Sequence, residues 1–148
     1  MPAIAMPRWI KKGYDGMTFF GYIITHTEQD AEAFNQRFGI MKNHEMIHLY
    51  QARSCHDSWL CFYWRYFVFW LKGCRLRKKL KNAGYWLNPF ELEAYRNMHN
   101  LDYLKDRSEA TQWREYASMT TDELLALYSE TYGWSNLSLI HKKDSTTE

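Results

Sequence analysis

The sequence predicts a mainly α domain with a small β element. Three observations carry that expectation. Helix starts are written at Thr27-Glu28-Gln29-Asp30, at Asn88-Pro89-Phe90-Glu91 and at Thr120-Thr121-Asp122-Glu123, each a capping residue followed by acidic first-turn positions. Apolar residues recur close to a helical period after the first of these, at Ala31, Phe34, Phe38, Met41, Ile47 and Tyr50. Only residues 17–25, Met-Thr-Phe-Phe-Gly-Tyr-Ile-Ile-Thr, combine aromatic and β-branched side chains in the manner of a strand.

The elements follow in order. The N-terminus, Met1 to Arg8, has no long apolar stretch behind basic residues, so no secretory signal is expected. The strand at 17–25 comes next. A helix capped by Thr27 should then run to about Arg53, with Gly39 interrupting the pattern and splitting it in two. Asp57 or Ser58 caps a second, aromatic helix over 59–71. A basic run occupies 72–81, and Gly84, Tyr85 and Trp86 read as a loop. The helix opened by Pro89 is expected to reach about Asp106. A last helix spans Glu123 to Tyr132 and stops at Gly133. By length, residues 1–140 form a single domain and 141–148 a frayed tail.

Composition narrows the function classes. The net charge of +2 favours neither an acidic nor a basic partner. Three cysteines, Cys55, Cys61 and Cys74, leave one over in any disulfide scheme and form no Cys-x-x-Cys pair. Reduced thiols in a cytoplasmic protein are the simplest account. The aromatic helix 59–71 is shorter than the ~20 apolar residues of a bilayer span and carries Arg65 at its middle. Two readings stay open for it. It packs as a core helix, or it lies in a membrane interface with the cations of 72–81 against lipid headgroups, giving a peripheral membrane contact. The same basic run, flanked by Tyr85 and Trp86, has the parts to contact phosphates and stack bases. The near-neutral balance of the chain argues against a nucleic-acid partner.

One stretch implies a specific reaction. Residues 43–51 read Asn-His-Glu-Met-Ile-His-Leu-Tyr-Gln and contain His44-Glu45-x-x-His48. On a helix, positions i and i+4 share a face, so both imidazoles can bind one Zn²⁺. Glu45, one residue after the first histidine, is then placed to act as general base on the attacking water. Gln51, three positions after His48, shares its face and either lines the cleft or is a helix-surface amide. Catalytic zinc usually takes a third protein ligand. Glu91 and Glu93, in the first turns of the Pro89 helix, are the candidates. Being two apart they point to different faces, so at most one serves. Either one is also accounted for by simple capping. Tyr95, Arg96 and His99 are candidate oxyanion stabilisers by proximity only.

His44-Glu45-x-x-His48, followed several tens of residues later by Phe90-Glu91-x-Glu93-Ala94-Tyr95, resembles the gluzincin branch of the zincin metallopeptidases. With Asn43 and Gln51 around the motif, the aromatic helix over 58–72 and Tyr103-Leu104-x-x-Arg107, the chain is more closely similar to small zincin-like proteins of bacteria and their phages. The resemblance covers roughly the middle half of the chain. It implies a reduced zincin-like fold and a zinc-dependent hydrolase of peptide or protein substrates. It places His44, His48 and Glu91 on the metal, with Glu93 as third ligand if the alignment shifts. It also implies that an edge strand beside the metal helix pairs with extended substrate; the strand at 17–25 either does this or is a short structural strand. In the thermolysin-like and CAAX-prenyl-protease-like members the later motif is Glu-x-x-x-Asp, whose aspartate steadies a ligating histidine. Tyr95 stands at that position here, so Tyr95 takes the steadying role or the role is lost. The alternative class is a zinc-binding protein without turnover, or a membrane-surface module using 59–71 and 72–81.

Overall fold

The computed structural model describes residues 2–6, 8, 17–36 and 39–133. It is mainly helical with a small sheet, and the chain divides into two compact units. The first comprises residues 1–61 and 97–110, the second residues 62–96 and 111–148.

In the first unit, strands β1 (Ala3–Ala5), β2 (Met17–Phe19) and β3 (Tyr22–Thr25) form a sheet in the order β1-β3-β2. β1 runs parallel to β3 with Ala3 opposite Ile23, and β2 runs antiparallel with Thr18 opposite Ile23. The single strand expected over 17–25 is therefore a hairpin. Phe20 and Gly21 both adopt positive φ, 45° and 85°. Two such central residues make the tight turn whose twist suits paired strands. Gly21 carried that signal, and the β propensity of its neighbours obscured it. β1 lies in a segment with no strand signature of its own. It forms because β3 offers Ala3–Ala5 a parallel partner and Asn35 grips Ala3, accepting from its N–H at 2.8 Å and donating to its carbonyl at 3.1 Å.

Helix α1 (Glu28–Gln36) starts at Thr27, whose hydroxyl oxygen accepts the Asp30 N–H at 3.1 Å. Helix α2 (Ile40–Ser54) restarts after Gly39, so the interrupted run is two helices as expected. Ile23 and Ala31 pack with Ala3 and Phe34 to close this unit's core beside the sheet.

Helix α3 (Trp59–Cys74) begins at Ser58, whose hydroxyl accepts the Cys61 N–H at 3.3 Å. It runs one turn beyond the expected end. In the second unit, Phe90 is fully buried at the centre of an aromatic cluster. Its ring centroid lies 4.7 Å from Phe62, 4.8 Å from Trp113 and 5.6 Å from Phe69. The expected loop at 84–86 is a short helix, α4 (Ala83–Trp86). Gly73 and Gly84 let its backbone touch α3: a Cβ on Gly73 would lie 2.7 Å from the Ala83 carbonyl, and one on Gly84 2.8 Å from that of Trp70. Leu80, Ala83, Leu87 and Tyr128 form a second apolar cluster.

Helix α5 (Pro89–Asn97) is capped by Asn88, which accepts the Phe90 N–H at 3.1 Å. It ends well short of Asp106. The Asn43 side-chain amide takes the carbonyls of Met98 and Asn100 at 2.9 and 3.0 Å, and their neighbours follow turns rather than a helix. Helix α6 (Trp113–Ser118) was not foreseen, because it is short and its start has no capping side chain of its own. Helix α7 (Thr121–Tyr132) carries the full capping box between Thr120 and Glu123 and stops at Gly133, φ 75°. The Thr120 N–H and hydroxyl hold Glu123 below the usual carboxylate range. That contribution is present above the ordinary carboxylate pKa and is lost as pH falls through the lowered one. The expected tail at 141–148 lies outside the described residues.

Candidate metal centre

α2 brings His44, Glu45 and His48 to one buried surface. Their exposures are 3%, 4% and 5%. One turn of helix separates the imidazoles, and their rings meet nearly at right angles, 4.8 Å between centroids. The two Nε2 atoms are 3.2 Å apart. Two nitrogens on a tetrahedral zinc, each at the usual bond length, stand about 3.3 Å apart. Gln51, also fully buried, lies one turn further on, and its Oε1 is 2.8 Å from His48 Nδ1. An amide oxygen only accepts, so Nδ1 is the donor of this pair, and in the neutral imidazole Nε2 then holds the lone pair. Gln51 is thus no surface amide. It sets the tautomer of His48, as partners of metal-binding histidines do.

Glu45 receives a hydrogen bond at Oε2 from the Thr18 hydroxyl, which is also 3.3 Å from the Glu45 carbonyl oxygen. Thr18 lies on β2, an outer strand of the sheet among the described residues. Sequence reasoning missed Thr18. The pair is 27 residues apart, and no local pattern links them.

In the second unit, Glu91 and Glu93 are both buried, with 4% and 0% exposure. Glu91 Oε1 accepts the Tyr66 hydroxyl at 2.8 Å. Tyr66 was also missed, for the same reason. Glu93 is turned to a different task. Its two carboxylate oxygens accept the backbone N–H groups of Gln112 at 3.0 Å and Trp113 at 3.2 Å, at the start of α6. Burial, and then the charge of Glu91 and the neighbouring Tyr95, push the Tyr85 phenol far above its ordinary value. Tyr95 shares a hydrogen bond with Tyr85 at 3.0 Å and packs edge-on against Tyr132. Of the oxyanion candidates, Arg96 is committed to Glu130 at 3.0 Å and Thr131 at 3.2 Å, and His99 is exposed. His44, His48 and Glu91 are all buried, and each offers one atom able to ligate a metal ion.

Glu93→Ala should lower stability by about 3 kcal/mol, since two backbone donors lose a charged acceptor worth about 1.5–3 kcal/mol each at most. The urea midpoint should fall while zinc affinity stays within twofold of the parent. A collapse of zinc affinity without loss of stability would make Glu93 a ligand instead.

Comparison with protein-family models, with curated proteins and with solved structures returns no match for this chain.

Proposed function

We propose that the protein is a zinc-dependent hydrolase acting on peptide bonds. The observation that carries this reading is the buried imidazole pair of α2, with Nε2 atoms one tetrahedral edge apart and the His48 tautomer set by Gln51. His44 and His48 would hold the ion through Nε2, and Glu91 through its carboxylate. The choice of Glu91 is supported by its burial and by the Tyr66 hydroxyl that donates to its Oε1, whereas both oxygens of Glu93 serve backbone donors. A donor set of two imidazoles and one carboxylate suits zinc and leaves a position open to substrate chemistry. When bound, the ion supplies Lewis acidity and a nucleophile that ionises near neutral pH.

The chain's own residues do the rest. Glu45 takes the proton of the attacking water and passes it to the departing amine. Thr18 holds the Glu45 carboxylate in one orientation for both transfers. Because Thr18 belongs to an outer strand, an extended peptide pairing along β2 would bring its backbone past Glu45.

The test is metal content joined to turnover. Protein purified without chelator should contain close to one zinc per chain and cleave members of a peptide library. Chelation should abolish cleavage, and zinc should restore it. Protein that binds zinc no more tightly than micromolar ends the proposal. Tight zinc with no cleavage of any peptide would instead place the chain among zinc proteins without turnover, the reading that Tyr95 at the aspartate position favours.

A further inference from the structure

α3 has two apolar faces, and only one is covered. Phe62, Tyr66, Phe69 and Gly73 form the inner face; Phe62 and Gly73 are buried, and the rings of Phe62, Tyr66 and Phe69 pack on Phe90. Leu60, Trp64, Phe67, Val68 and Leu71 follow one another at intervals of four, three, one and three residues, a single helical stripe. All five are exposed: Leu60 at 75%, Trp64 at 68%, and the others between 38% and 48%. Single exposed apolar side chains are ordinary, but a continuous stripe with two large rings marks a contact surface.

The charge around the stripe says what it contacts. From Trp59 to Phe90 the sequence contains no acidic residue and seven cations. One is Arg65, and the other six are Lys72, Arg75, Arg77, Lys78, Lys79 and Lys81, directly after the stripe. Those six are exposed. Lys72 lies in the last turn of α3, and the other five sit on a segment of turns that Leu80, 2% exposed, anchors in the apolar cluster with Ala83, Leu87 and Tyr128. The cations are thus fixed beside the end of the stripe. No helix of the described residues is long and apolar enough to cross a bilayer. A helix with an exposed apolar face that includes a tryptophan, and with cations at one end, matches the pattern that lies along an anionic membrane surface.

We propose that the outer face of α3 and the basic segment 72–81 dock this protein onto bilayers rich in anionic lipid. The apolar stripe enters the headgroup boundary, and the cations pair with lipid phosphate and carboxylate groups. A nucleic acid would answer the cations alone and leave the stripe without a role. A second copy of the chain would answer the stripe but supply no acidic partner for the cations from its own α3 region, where residues 59–90 contain no acidic residue.

The test is flotation of the full chain with vesicles of phosphatidylcholine alone or with about one-third phosphatidylserine. The protein should float with the anionic vesicles at about 0.05 M salt, shift its tryptophan emission to the blue, and be released at about 0.5 M salt. Each cation at the surface contributes about fivefold in partitioning, so Lys78→Glu with Lys79→Glu should weaken binding by roughly 25-fold or more. Trp64→Ser with Phe67→Ser and Leu71→Ser, at exposed positions, should keep the circular dichroism spectrum and lose binding. Absence of flotation at low salt overturns the proposal, and so does undiminished binding by the apolar variant. A dimer in solution that this variant disperses, without vesicle binding, makes a second copy the occupant and also overturns it. None of these readouts involves the metal, so their failure leaves the hydrolase reading untouched.

Discussion

Glu45→Gln is expected to retain zinc and to lose peptide hydrolysis by about 10²–10⁴-fold, the usual contribution of a positioned general base. The substitution is nearly isosteric. The amide oxygen can still accept from Thr18, so the local packing of β2 against the start of α2 should hold. What disappears is the proton acceptor. The loss should fall on kcat, because Glu45 acts on the attacking water and not on substrate binding. Zinc content, urea midpoint and kcat measured together decide the matter. Equal cleavage by parent and variant removes Glu45 from the reaction. A variant that loses its zinc shows that the carboxylate serves the metal rather than the water.

His48→Ala should remove tight zinc binding altogether. Loss of a mere outer partner of a ligand costs 10–100-fold in metal affinity, so loss of a ligand should exceed about 10²-fold. A second consequence is thermodynamic. Zinc at about a thousandfold over its dissociation constant should stabilise the parent by about 4 kcal/mol. The variant should melt at one temperature with or without zinc. In the absence of metal it should be about 1–3 kcal/mol less stable than the parent, because Gln51 loses its His48 donor in a buried setting. A parent whose melting ignores both zinc and chelator would dispose of the metal centre. The contrast with Glu93→Ala matters here: that variant should lose stability and keep zinc.

These two results would test the part of the site that was most legible beforehand. His44 and His48 face one another because an α-helix repeats every 3.6 residues, so the spacing alone places them on one side. Gln51 belongs to the same geometry, three residues after His48. Its position was readable, but its burial was not, since nothing in a sequence says which face of a helix is covered. Thr18 and Tyr66 were invisible. They reach Glu45 and Glu91 across 27 and 25 residues, and such meetings depend on the path of the chain between them. Glu91 and Glu93 illustrate the same limit. Two carboxylates two positions apart at one helix start look alike in sequence, yet one accepts a tyrosine hydroxyl and the other caps α6.

The fold divides in the same way. Thr27, Ser58, Asn88 and the Thr120–Glu123 box announced helix starts that the structure uses, because a cap is a contact within a few residues. The end of α5 was misjudged, because the Asn43 amide that takes the following carbonyls lies more than fifty residues upstream. β1 needed β3 as a partner before it could be a strand at all. The sequence by itself determined the mainly helical character, the helix starts and the facing imidazoles, all set by interactions over one or two turns. Only the tertiary structure decided which polar groups are buried, what orients each of them, and which face of α3 stays bare. Burial and long-range hydrogen bonds are properties of the packed chain, and a local pattern does not contain them.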